Sequence, residues 1–255
     1  MTETLVVTRD GRAATLELAR PPLHILDLEL LAALETALDR LAADPHLQIV
    51  FLRGQGERAF SAGVSIQDHT PDKIDRMLTS FHGGIRRLRG LDALSVALVD
   101  GHCLGGGLEL ATACDLVIAT ERSKFALPEI QLGCFPPVAL ADYPRRIGLG
   151  RTLELALSGR GFDVAEAHRL GLVDEVVAPE ALAARAAGLA AAVTSKSAAA
   201  TRLAVRAARA GVARPFDAAL AEAERLYLRD LAATEDMHEG LAAFAAKRAP
   251  EWRHR

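Results

Sequence analysis

Lysine is almost missing from this chain: Lys73, Lys124, Lys196 and Lys247 are the only four, so arginine carries most of the positive charge. Acidic residues outnumber basic ones, 33 against 30, and the net charge of -3 offers no broad cationic field to a nucleic-acid backbone or an anionic membrane surface. Neither partner is expected. Cysteine is sparse as well. Cys103, Cys114 and Cys134 are odd in number and lack C-x-x-C spacing, which argues against a disulfide framework or a zinc site and fits a reducing cytoplasm. Glu3 and Asp10 precede any long apolar run, so neither a secretory signal nor a basic transit peptide is expected. No stretch reaches membrane-spanning length without a charge.

What the chain does have is an ordinary globular mixture, half hydrophobic and a quarter charged over 255 residues, enough to bury a sizeable core. Leu5 to Thr8 and Ala14 to Leu18, separated by Asp10-Gly11, read as a β-hairpin. Asp27 is placed to cap a helix along which Leu31, Leu34, Leu38 and Leu41 recur, with Pro45 at its exit. Ile49 to Leu52 reads as a buried strand, Thr70-Pro71 as the start of a helix ending near Gly90, and Ser95 to Val99 as the next strand. Another apolar strand spans Leu116 to Ala119. This alternation predicts an α/β core with partly parallel strands. From about Pro179 the pattern turns to alanine-rich helices with breaks near Ser195, Gly211 to Pro215 and Ala233-Thr234. We read residues 1–195 as the α/β core and 196–255 as a helical region that either caps it or forms a subunit interface.

Gly105-Gly106-Gly107 lies between a strand and a helical stretch, which invites a dinucleotide-binding reading. The register fails, because Leu110 stands where that fingerprint needs its third Gly or Ala, and no G-K-[ST] follows. The physical content of the run remains: glycines at a helix start let a ligand approach unpaired N–H groups, which suits an oxyanion. A tight turn or close packing accounts for such a run equally well.

Three segments then become specific. Ala59-Phe60-Ser61-Ala62-Gly63-Val64, Gly101 through Glu109, and Leu127-Pro128-Glu129-Ile130 resemble, in order and spacing, the signature segments of the crotonase (enoyl-CoA hydratase/isomerase) superfamily. The likeness runs from the N-terminal hairpin to Phe244-Ala245-Ala246-Lys247-Arg248. It implies a spiral core of repeated ββα units with a C-terminal helical layer, assembling as a homotrimer or a dimer of trimers. It also implies an acyl-CoA substrate and no separate cofactor, since coenzyme A is part of the substrate. Carried onto this sequence, the resemblance makes Glu109 and Glu129 the catalytic pair and the N–H groups of Val64 and Gly106 the oxyanion hole. Leu23, Ala62, Ser65 and Ile66, with Val64 and Gly106, would hold coenzyme A.

The chemistry fits those residue types. Adding water to an unsaturated thioester develops charge on the carbonyl oxygen, where fixed donors lower the barrier, and it needs one carboxyl as base and one as acid. Taken singly, Glu109 reads as a charge that stabilises a helix start and Glu129 as a solvated loop residue. Isomerisation or ring-opening hydrolysis on the same scaffold, and non-catalytic acyl-CoA or nucleotide binding, are the alternatives to hydration. Asp142 reads as a surface or capping residue with some prospect of approaching the acyl pocket, and Met77 and Phe81 read as core. His24, His69, His82 and His102 lie near the signature segments without ligand spacing, so no metal site is expected.

Departures from the family pattern bear on the substrate. Where common hydratases carry a glycine-rich run ending in Gly-Thr-Gln, this chain has Cys134-Phe135-Pro136-Pro137, so Phe135, Pro136 and Pro137 are expected to wall the acyl pocket with stiff, bulky groups. Ser65 and Gln67 replace the usual Asp and Lys, and by the resemblance the loss of that lysine calls one phosphate contact into question. Together with Pro21-Pro22-Leu23 and Asp68-His69-Thr70-Pro71-Asp72, the proline segment is similar to the subgroup that hydrates cyclohexa-1,5-diene-1-carbonyl-CoA.

Overall fold

In the computed structural model, residues 4–212 and 214–255 are described. The hairpin forms as expected: β1 (Leu5–Asp10) pairs antiparallel with β2 (Ala13–Leu18). Helix α1 (Leu28–Ala42) follows, with the Asp27 carboxylate accepting from Leu30 N–H at its start. The chain then winds through repeated units of two strands and a helix. These are β3 (Ile49–Gly54), β4 (Ala59–Ser61) and α2 (Ile74–Gly90); β5 (Leu94–Val99), β6 (His102–Leu104) and α3 (Gly106–Thr112); and β7 (Leu116–Thr120), β8 (Lys124–Ala126) and α4 (Pro137–Arg146).

In each unit the first strand joins one sheet and the second joins another. The larger sheet runs β1-β2-β3-β5-β7 and ends on β10 (Glu175–Val177); the smaller runs β4-β6-β8 and ends on β9 (Gly161–Asp163). Helices α5 (Leu149–Ser158) and α6 (Val164–Leu170) flank β9. All neighbouring strands are parallel except β1–β2 and β8–β9. This is the crotonase-like spiral.

The uninterrupted apolar run of β3 has a simple cause, because the large sheet is covered on both faces. Val50 and Leu52 join the main core beneath α1, α2 and α3, with Leu34, Phe81 and Leu108. Ile49 and Phe51 point to the opposite face, where α7 (Leu182–Thr194) packs through Ala186 and Leu189. The chain ends in α8 (Ala198–Gly211), α9 (Phe216–Arg225) and α10 (Glu235–Ala245). These helices are tied to the sheets by polar contacts: Gln48 Nε2 donates to the carbonyls of Val193 and Lys196 and to the Thr201 hydroxyl, and Arg209 pairs with Asp115.

One helix start is corrected. Helix α2 begins at Ile74 rather than at Pro71, because the Thr70 carbonyl accepts from both Lys73 and Ile74 N–H, which makes a separate turn ahead of the helix.

Candidate active site

The three signature segments meet at a cavity of about 280 Å³. Its polar end is made by Glu109 from the first turn of α3, Glu129 from the short 3-10 turn Pro128–Leu132, and the backbone of Gly63, Val64, Gly105 and Gly106. Its apolar walls are Met77, Leu78 and Phe81 of α2 and, opposite, Leu132, Phe135 and Pro137.

The two amide groups are exposed to the cavity by local geometry. A parallel bridge joins Leu26 to Val64 through Leu26 N–H on the Gly63 carbonyl (2.9 Å) and Ser65 N–H on the Leu26 carbonyl (3.1 Å). Those bonds use the groups flanking Val64, so its own N–H points away from the bridge, on the side of the cavity. Gly106 is the first residue of α3, where an amide has no partner within the helix. The two meet closely, since a Cβ on Gly106 would lie 3.4 Å from Val64 N and only 2.7 Å from Val64 Cγ2.

Glycine is required here for two reasons. Gly105 takes φ +52° to turn β6 into α3, and a side chain there would strike the Glu129 carboxyl at 2.7 Å. Gly107 lies so close to β4 that a Cβ would sit 2.5 Å from the Ser61 carbonyl oxygen.

The carboxyls differ in surroundings. Glu109 is 2% exposed, and its Oε1 accepts from Ala139 N–H at 2.9 Å. Burial raises its pKa to about 7; the Ala139 donor works against the rise and the Glu129 charge adds to it. Glu129 is also raised, chiefly by burial, while His69 pulls it down, and its Oε2 is buried with no protein donor among the described residues. Two carboxyls whose pKa values are both raised by burial border one cavity, an arrangement able to exchange protons with a bound molecule.

The sequence-predicted site residues separate into groups. Glu109, Glu129, Ala62, Val64, Ile66, Gly106, Phe135 and Pro137 all border the cavity. Pro136 does not: it is buried at the start of α4, with its carbonyl accepting from Leu140 N–H, so only its two neighbours face the acyl space. Leu23 lies along a separate open groove with Arg20, Pro21, Pro22 and Gln55, and its carbonyl accepts from Ala62 N–H. Ser65 is buried and supports the loop rather than lining it. Asp142 is turned away, paired with Arg89 at 3.2 Å. Met77 and Phe81 are core residues as expected, yet they also wall the cavity.

Sequence reasoning missed His69 and Gln131 as cavity residues. His69 Nδ1 lies 2.9 Å from the Ser65 carbonyl, which can only accept, so the proton sits on Nδ1. Its place four residues after Ser65 in a short 3-10 turn was the available signal.

Paired carboxyls and the backbone of Val64 and Gly106 thus border one largely apolar cavity. Residues 9–255 match the family model for enoyl-CoA hydratase/isomerase, and the chain belongs to that family as a hydratase-like enzyme. It is 40% identical over 248 residues to a cyclohexa-1,5-dienecarbonyl-CoA hydratase of Thauera aromatica, covering 97% of this chain and 95% of that one. It is 32% identical over 254 residues to the 2,3-dehydroadipyl-CoA hydratase of Escherichia coli K12, covering 98% and 99%. The crystal structure of enoyl-CoA hydratase from Bacillus anthracis superposes with a TM-score of 0.93 at 29% identity, covering 99% of this chain and all of that one.

Proposed function

We propose that this enzyme adds water across the double bond of an α,β-unsaturated acyl-CoA thioester, and that its acyl group is a compact ring such as a cyclic diene. The observation that carries this reading is the convergence of Glu109, Glu129, Val64 and Gly106 on one cavity. Glu109 takes a proton from water, and the oxygen bonds to the β-carbon. The displaced electron pair moves onto the thioester oxygen, which Val64 and Gly106 N–H hold. The enolate then collapses as the α-carbon takes a proton from Glu129, and the proton left on Glu109 passes to Glu129 by way of solvent, which restores both carboxyls. Each donor contributes about 3 kcal/mol in such sites. No metal or redox group enters this reaction.

The ring preference rests on size and stiffness. At about 280 Å³ the cavity lies just below the usual range of ligand pockets, ~300 to 1,000 Å³. Phe81, which is buried, and Pro137 are stiff walls that suit a flat, short acyl group more than a long flexible chain. Leu23 and its groove would take part of coenzyme A, leaving the thioester at the amides. The C-terminal helices would join copies of the chain into a trimer or a dimer of trimers.

The test is a panel of straight-chain enoyl-CoA and cyclic dienoyl-CoA thioesters with product mass as readout. Hydration adds the mass of one water, whereas isomerisation leaves the acyl mass unchanged. Glu109→Gln and Glu129→Gln are each expected to cut kcat by about 10²- to 10⁴-fold with thioester binding still measurable. Full turnover in either variant defeats the mechanism, and a preference for long straight chains defeats the ring assignment.

A further inference from the structure

His24 is completely buried, and it adopts a left-handed backbone at φ +49° that a side chain of its bulk rarely takes. Two loops hold its ring. Nε2 lies 2.9 Å from the Gln55 carbonyl, which can only accept, so Nε2 carries the proton; Nδ1 accepts from Arg20 N–H at 3.2 Å. The imidazole is therefore neutral and fully used. Burial holds its pKa below the ordinary value, partly offset by the Gln55 carbonyl and by Glu17. Gly54 gives it room, since a Cβ there would lie 2.9 Å from His24 Cδ2.

The His24 carbonyl leads directly toward the candidate oxyanion hole. It accepts from the Ser61 hydroxyl at 2.7 Å, and Ser61 Oγ in turn accepts from Gly63 N–H at 3.1 Å. Gly63 precedes Val64, whose amide is the cavity donor. The adjoining bonds, Ala62 N–H to the Leu23 carbonyl (2.8 Å) and Leu26 N–H to the Gly63 carbonyl (2.9 Å), stitch the same two segments together. The ring of His24 ties this stitched loop to the Arg20 and Gln55 backbones at once, and the His24 backbone N–H adds a bond to the Arg20 carbonyl at 2.8 Å.

We propose that His24 is a positioning residue that fixes the Val64 amide, acting through Ser61 and Gly63. The proposal rests on the hydratase reading above, because the amide matters only if an oxyanion forms there. A donor aimed at developing charge acts chiefly in the transition state, so a misplaced amide lowers kcat and leaves ground-state binding nearly intact.

The experiment measures kcat and KM on the best thioester of the panel for the wild type, Ser61→Ala, His24→Leu and His24→Asn, with folding checked by circular dichroism and melting. Ser61→Ala is expected to lower kcat about tenfold with KM within about twofold, a fraction of the ~10²- to 10³-fold loss for deleting a donor outright. His24→Leu should lose at least as much. His24→Asn keeps an acceptor oxygen near the place of Nδ1 and should recover several-fold of that loss. Folded Ser61→Ala with wild-type kcat, or with its loss confined to KM, overturns the proposal, and it decides alone if His24→Leu does not fold. A wild type with no turnover on any thioester overturns the hydratase reading and this proposal with it; an active wild type with unaffected variants overturns this one only.

Discussion

At pH 8 an ionised Glu109 has one backbone donor, a neighbouring carboxyl and almost no water, which is a costly place for a charge. With its folded pKa at about 7 and the usual carboxylate value near 4.5, the folded protein binds a proton across that window while the unfolded chain does not. The stability contribution of this residue therefore falls as pH rises from about 4.5 to about 7, by about 3 kcal/mol in total. Glu109→Gln removes the titration. Urea denaturation should find the variant close to wild type at pH 5 and more stable at pH 8; equal differences at both pH values would count against the raised carboxyl. Under the proposed mechanism the same group must be ionised to accept the water proton, so the kcat/KM of the wild type should climb as pH rises through about 7. The cost to folding and the usefulness as a base have one origin, burial.

At the scale of elements, the strands and helices with a single period were readable. Leu31, Leu34, Leu38 and Leu41 gave α1, Asp27 gave its cap, the breaks at Ser195 and Ala233-Thr234 fall between C-terminal helices, and Gly211 ends α8. The strands of the small sheet were not readable, because β4, β6, β8 and β9 are three residues each and too short to show alternation. They matter most for the site, since β4 and β6 lead into the two amide-bearing segments. Their fit is tight: Gly107→Ala would drive a methyl into the Ser61 backbone at 2.5 Å, where β4 has no slack. A destabilisation of about 1–3 kcal/mol is expected, read as a lower midpoint in urea with unchanged slope. A fully stable Gly107→Ala protein would show that β4 and α3 are less closely packed.

For the whole molecule, the C-terminal helices carry large apolar side chains in solvent: Phe216, Leu228 and Leu241 are well exposed, and Phe244 is 86% exposed. A layer so anchored by Gln48 and Arg209 on one side and so apolar on the other suits contact with further copies of the chain. Light scattering is expected to give about three or six times the 27.1 kDa chain mass, and Leu241→Asp with Phe244→Asp to lower it; a wild-type monomer would remove the interface from the proposal. Among the described residues no helix is long and apolar enough to cross a membrane. The sequence by itself determined the residue types and the twenty-residue separation of the two glutamates, because those are properties of order along the chain. Only the tertiary structure decided that Pro136 turns inward and Asp142 pairs with Arg89, that His69 faces the cavity, and that His24 backs the Val64 loop. Burial and hydrogen-bond partners come from segments far apart in sequence, and a periodic pattern along one segment carries no record of what folds against it.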